Sequence, residues 1–187
     1  MGLPVGAGAP SVWVQRWSHL LTPGASVLDV ACGGGRHLAW FSGRGHMVCG
    51  VDIDTSVAAA HVPQAELIQA DIENGPWPLP QRQFGAVVVC NYLWRPLFSR
   101  LLESLALGGV LVYETFASGQ ELLGRPRRPE FLLQPAELLR VCKDLHIVAY
   151  ECGLADDPPR AVQRIVAVRY DTSADASHGL TSALSLK

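Results

Sequence analysis

The chain has 187 residues, of which 49% are hydrophobic and 17% charged, and a formal charge of −2. Such a chain fits one globular α/β domain and excludes a solvated disordered polymer. The near-neutral balance gives no electrostatic reason for a nucleic-acid or anionic-membrane partner, and no apolar stretch reaches membrane-spanning length.

In chain order, residues 1–10 are Gly/Pro/Ala-rich and read as a flexible N-terminus without a signal-peptide pattern. Ser11 to Leu21 is expected to be helical, capped by Ser11 and stopped by Thr22-Pro23-Gly24. A short β-rich run, Val27 to Ala31, ends at Cys32-Gly33-Gly34-Gly35, and Arg36 to Ser42 follows as a helix. Further strands are expected at Met47 to Val51, Glu66 to Gln69, Phe84 to Cys90 and Val110 to Glu114. Phe84 to Cys90 is apolar on both faces, as a central parallel strand should be.

Pro96 to Ala106 and Gln134 to Lys143 are expected as helices, with a long polar loop from Ala117 to Leu133 between them. Two late runs, near His146 to Cys152 and Val162 to Tyr170, have no helix-length segment between them and should pair antiparallel. The expected fold is therefore a doubly wound α/β domain over residues 11–170. Its seven-stranded sheet is mostly parallel and closes with a C-terminal antiparallel hairpin. The Ser/Thr/Ala/Asp-rich residues 171–187 read as a disordered tail. Five scattered cysteines, without a CxxC pair, suggest neither a disulfide framework nor a zinc site; no metal is expected, and a reducing cytoplasm is the default.

The decisive stretch is the strand running through Asp29 into three glycines and a helix. Glycine permits a tight turn and close backbone approach to a ligand, and the helix start offers free N–H groups. A dinucleotide site would want a third glycine where Leu38 stands. Asp29, directly before the turn, instead suits a ligand with an ammonium group, which NAD lacks.

This segment resembles motif I of the class I S-adenosylmethionine-dependent methyltransferases, (V/I)LD(L/V)GCGxG, with Ala31 in place of the first family glycine. Val51-Asp52-Ile53-Asp54, Ala70-Asp71-Ile72, Phe84 to Leu93 and Leu105 to Leu111 resemble the later motifs in order, with Leu107 where proline is usual. Within that superfamily the chain looks most similar to small tellurite-resistance-like and type 11 members.

The resemblance implies S-adenosyl-L-methionine as cofactor, bound by Asp29, Ala31, Cys32, Gly33, Gly35, Asp52, Ile53, Asp71, Ile72 and Asn91. Asp52 would accept hydrogen bonds from both ribose hydroxyls, and Asp71 would meet the adenine amino group. Tyr92, Trp94, Arg95, Arg127 and Arg128 are candidate substrate contacts, with Tyr92 and Glu114 the candidate catalytic groups. Asp71 could equally be an ordinary turn residue, and Arg125 to Arg128 a solvated loop. His37 could touch a ligand or face solvent, and Trp13 and Trp17 could pack or form a lid.

Because the whole chain is spent on the cofactor fold, methyl transfer to a small molecule by a monomer or homodimer is expected, without a nucleic-acid or membrane partner. The alternatives are a dehydrogenase, a catalytically silent cofactor-binding protein, and an RNA or protein methyltransferase needing a partner subunit.

Overall fold

A computed structural model describes residues 8–156 and 158–170 of the chain. The expected tail, and residues 1–7 of the expected flexible N-terminus, lie outside the described residues. Strands β1 (Ser26–Val30), β2 (Met47–Asp52), β3 (Glu66–Gln69), β4 (Phe84–Cys90), β5 (Leu105–Phe116), β6 (His146–Asp156) and β7 (Pro159–Val168) form one sheet. Their order is β3-β2-β1-β4-β5-β7-β6. β1 to β5 pair in parallel, and β7 runs antiparallel to both of its neighbours.

The period-2 alternation of each strand sorts its apolar side chains to the two faces. Val27, Ala86, Val88, Val110, Val112 and Val166 pack with α1 (Val12–Trp17), α2 (Arg36–Ser42) and α3 (Ser56–His61). Leu28, Val30, Val87, Val89, Leu111 and Ile165 pack on the other face with α4 (Phe98–Glu103) and α6 (Glu137–Val141). By the same parity Asp29 of β1, Cys90 of β4, Glu114 of β5 and Arg164 of β7 share the α1/α2 face. That face receives the charged residues of the strand ends, and their mutual contacts follow from it.

The strands occur where the apolar runs place them, while several helices are shorter than expected. The Ser11-capped helix ends at Trp17 and tightens into a 3₁₀ turn over Ser18–Leu20. The expected helix from Pro96 begins only at Phe98, after a 3₁₀ turn, and ends at Glu103. β5 already starts at Leu105 opposite Phe84, and its register shifts before Ala86 meets Val110. The expected helix from Gln134 begins at Glu137, because Ala136 has a positive φ of 57° that no helix continues through.

The loop after β5 is tied at its base, where Phe116 O and Ser118 N bond Leu133, and carries a short helix α5 (Gln120–Leu123). Cys32, Cys49, Cys90 and Cys142 are buried free thiols and Cys152 is exposed. No helix among the described residues is long and apolar enough to cross a membrane.

Candidate functional site

β1 connects onward to β2 on one side while β4 lies on its other, so the strand order reverses at the β1/β4 boundary. Crevices at such a reversal, outside the carboxyl ends of the strands, are where doubly wound sheets bind ligands. Residues following four consecutive strand ends of the order, β1 to β4, line one cavity there of about 330 Å³. They include Ala31, Asp52, Ile53, Asp71, Ile72 and Tyr92. A second cavity of about 740 Å³ adjoins it, lined by Asn91, Tyr92, Leu93, Thr115, Phe116 and the arginines of the 125–128 loop, among others. Glu73 and Tyr92 line both. The Tyr92 hydroxyl donates to Glu73 Oε1 at 3.2 Å, so this pair is the wall between them.

The glycine turn is held from below and from the side. Cys32 N–H donates to Val51 O, and Gly33 N–H donates to Asp52 Oδ2 at 2.8 Å. The other oxygen of Asp52 accepts from Asp54 N–H at 3.1 Å. One carboxylate at the end of β2 thus shapes the turn after β1 and lines the cavity. Gly33 has φ 51° with open space where a Cβ would stand. Gly35 (φ 76°) has none to spare, because a Cβ there would come within 3.2 Å of Ala58 Cβ on α3. Leu38, where a dinucleotide site would have glycine, is fully buried, and its side chain fills the space over Gly50 of β2.

Ala31 has φ 55°, the left-handed region where an L side chain costs roughly 1–2 kcal/mol. The resemblance places a glycine here, and the backbone shows why. Ala31→Gly is expected to relieve that strain against a partly offsetting gain in unfolded-chain entropy, raising stability by up to about 1 kcal/mol. Urea unfolding checks this; a loss of more than about 1 kcal/mol would show that the alanine methyl is needed.

Asp71 lines the smaller cavity and also closes its own turn. Oδ1 accepts from Glu73 and Asn74 N–H, and Oδ2 from the Asn74 side-chain amide. These donors, the Asn74 side chain foremost, hold its carboxyl below the usual range. The turn reading and the lining position therefore both hold. Ile53, an apolar side chain 64% exposed at the cavity, stands with buried Ile72 as an apolar pair.

Asp29 does not line either cavity. It is 1% exposed and points into the α1/α2 layer, where its Oδ2 lies 3.7 Å from His37 Nδ1 and has no hydrogen-bond partner. His37 is itself 3% exposed, so it neither faces solvent nor reaches a ligand. Its Nε2 accepts from Ser11 N–H at 3.2 Å, which puts the neutral ring's proton on Nδ1, toward Asp29. The cap of α1 is thereby pinned to the helix after the glycine turn. Trp13 and Trp17 are packed in the core rather than forming a lid.

Glu114, the other candidate catalytic group, stands in the structure as a buried anchor. It is 1% exposed and accepts from Ser11 Oγ–H at 2.9 Å and Cys90 Sγ–H at 3.5 Å. Arg164, its cross-strand partner, brings Nε within 2.6 Å of Oε2, an ion contact rather than an aligned hydrogen bond. Burial, and next Glu114, push the Cys90 thiol up to about 12.

Two candidate substrate contacts are committed elsewhere. Trp94 packs against the core. Arg95 grips both oxygens of Glu137 at 2.7 and 3.0 Å and donates to the carbonyls of Glu130 and Leu132. It is a clamp on the loop that carries Phe131. Arg127 and Arg128 do line the larger cavity, and so does Asn91, whose place is there rather than in the smaller cavity. Cys32, Gly33 and Gly35 shape the smaller cavity from behind rather than lining it. Glu73 was not singled out from the sequence, where an acidic residue in a Pro/Gly loop carries no distinguishing signal.

Residues 27–109 match the methyltransferase domain family. That matched segment carries the glycine turn, Asp52 and Asp71, so the smaller cavity is built largely from the part of the chain that is similar to a methyltransferase domain. No curated protein matches the chain in sequence. Its fold is similar to that of TehB from Haemophilus influenzae (TM-score 0.68, 18% identity), covering 83% of this chain and 61% of that one. The chain thus spans less than two thirds of that TehB. It is also similar to a TehB-like SAM-dependent methyltransferase from Corynebacterium glutamicum (TM-score 0.63, 20% identity, 84% and 86% of the two chains). A third similar structure is the 1,6-didemethyltoxoflavin-N1-methyltransferase of Burkholderia thailandensis, solved with 1,6-didemethyltoxoflavin and S-adenosylhomocysteine (TM-score 0.61, 17% identity, 85% and 76%).

Proposed function

We propose that the chain is an S-adenosylmethionine-dependent methyltransferase that uses the smaller cavity for S-adenosylmethionine and the larger one for a small-molecule acceptor. The observation that carries the reading is the shared wall: Tyr92 and Glu73 are the residues common to two adjoining cavities at the strand-order reversal. The residues present fit the cofactor. Asp52 offers two carboxylate oxygens beside the glycine turn for ribose hydroxyls, and Ile53 and Ile72 offer apolar faces for a flat base. Asp71 supplies an acceptor at the same end for an exocyclic amine. Asp29, with an unpartnered oxygen beneath the turn, holds negative potential behind the place of the cationic end.

When bound, the cofactor supplies an already electrophilic methyl group. The chain's own work is then to orient the acceptor and exclude water, and well-oriented approach alone is worth an effective molarity of about 10⁵ to 10⁸ M. Tyr113 contributes by fixing the wall: its buried hydroxyl donates to Tyr92 O at 2.9 Å. The similar fold of the Burkholderia thailandensis N1-methyltransferase, solved with 1,6-didemethyltoxoflavin bound, supports the small-molecule reading.

Calorimetric titration with S-adenosylhomocysteine is expected to show one site per chain. The absence of heat at millimolar ligand would reject the assignment of the smaller cavity.

A further inference from the structure

The larger cavity is chemically lopsided. At its cofactor end stand Glu73 and Tyr92, and over the rest of it lie Arg125, Arg127 and Arg128 with Phe116 and Phe131. None of the three arginines has a carboxylate partner among the described residues, in contrast to Arg95 and Arg164. The stretch that carries them is nevertheless anchored at both ends. Buried Gln120 donates to Arg125 O at 3.0 Å and accepts from Ala161 N–H of β7 at 2.9 Å. Arg95 holds the carbonyls of Glu130 and Leu132 on the far side. A loop kept in place by two buried or half-buried polar ties, with its cations unpaired, presents fixed positive charge to the cavity.

Resting on the function proposed above, we infer that the acceptor is an amphipathic organic anion: an aromatic body carrying a carboxylate or similar acidic group at one end and a hydroxyl or amine nucleophile at the other. The acidic group meets the arginines, where planar guanidinium groups favour carboxylates. The ring lies against Phe116, Phe131 and Tyr92. Repulsion from Glu73 keeps the anionic end away from the cofactor and turns the nucleophile toward it. The size agrees: about 740 Å³ suits an organic molecule of ring-system dimensions and is far larger than an inorganic oxyanion needs. In the transfer the nucleophile bonds to the methyl carbon as the methyl–sulfur bond breaks, and the proton it carried passes to the Glu73 carboxylate.

The test uses the full chain saturated with S-adenosylhomocysteine and a panel of hydroxy- and amino-aryl carboxylates, each paired with its neutral carboxamide, with selenite as a bare oxyanion. Calorimetry is expected to show at least one acid binding about 10- to 100-fold tighter than its amide. In the double variant Arg127→Gln, Arg128→Gln that ratio is expected to fall toward one while S-adenosylhomocysteine affinity is unchanged. The unchanged affinity separates lost recognition from lost folding. Glu73→Gln, which still accepts from Tyr92, is expected to leave acid binding intact and slow product formation from S-adenosylmethionine. Acids that bind no tighter than their amides, an acid preference that survives the arginine changes, or binding of selenite alone would overturn the inference. Failure of S-adenosylhomocysteine itself to bind would instead strike the underlying function.

Discussion

With the ribose placed at Asp52 as proposed, Asp52→Ala is expected to weaken S-adenosylhomocysteine binding by about 10²- to 10⁴-fold, because two charge-assisted hydrogen bonds of about 1.5–3 kcal/mol each would be lost. The structure adds a second loss. The same carboxylate accepts from Gly33 N–H and Asp54 N–H, so its removal also frees the glycine turn. Asp52→Asn separates the two effects. Its amide oxygen still accepts from Gly33 N–H, so the turn is expected to stay ordered while the charge is gone, leaving an intermediate affinity. Equal affinity of Asp52→Ala and the parent would remove the basis for placing the ribose at β2.

Glu114→Gln is expected to lower stability by about 3 kcal/mol, which for a chain of this size is a fall of roughly 10 °C in Tm. The amide matches the carboxylate in volume, so no cavity is made; what is lost is the counter-charge of Arg164, which is mostly buried, 2.6 Å away. The lower end of the usual 3–5 kcal/mol applies because Arg164 keeps Glu151 at 3.2 Å. Replacing both partners by apolar side chains, Glu114→Leu with Arg164→Met, is expected to recover part of the loss, the remainder lying with Arg160, which stands 3.8 Å from Glu114 Oε1 and keeps no carboxylate there. The reason is that the penalty lies in the orphaned charge rather than in the missing pair. Thermal unfolding of the three proteins decides it, and a single-variant shift below about 2 °C would show that the pair is not isolated from solvent.

The sheet and the smaller cavity were legible because both depend on local rules. Apolar runs of strand length, glycines that end one of them, and acidic residues just past the strands place Ala31, Asp52, Ile53, Asp71 and Ile72 at one edge. Depth was not legible. Asp29 and Glu114 lie on the same strand faces as the core residues Val27 and Val112, and only the packing of α1 and α2 shows that both are sealed beneath the edge. Nor could loop ties be foreseen: Arg95 reads as a free cation near the strand ends until Glu137, 42 positions away, is folded against it. Glu73 is the converse case, an unremarked loop carboxylate that matters only because Tyr92 closes on it. Helix ends failed for a backbone reason at Ala136, whose positive φ has no signature in an alanine.

The position of β7 bears on how the chain comes to be assembled during synthesis. The last strand made is not the one at the margin; it slots between β5 and β6, and β6 has no other neighbour in the sheet. A nascent polypeptide lacking residues beyond 158 therefore holds β6 with nothing to zip onto and leaves one flank of β5 bare. It also leaves Glu114 without Arg164. Closure of the sheet beside β5 thus waits on the arrival of the carboxyl-terminal hairpin, and a ribosome-stalled or prematurely terminated product would present open backbone to chaperones.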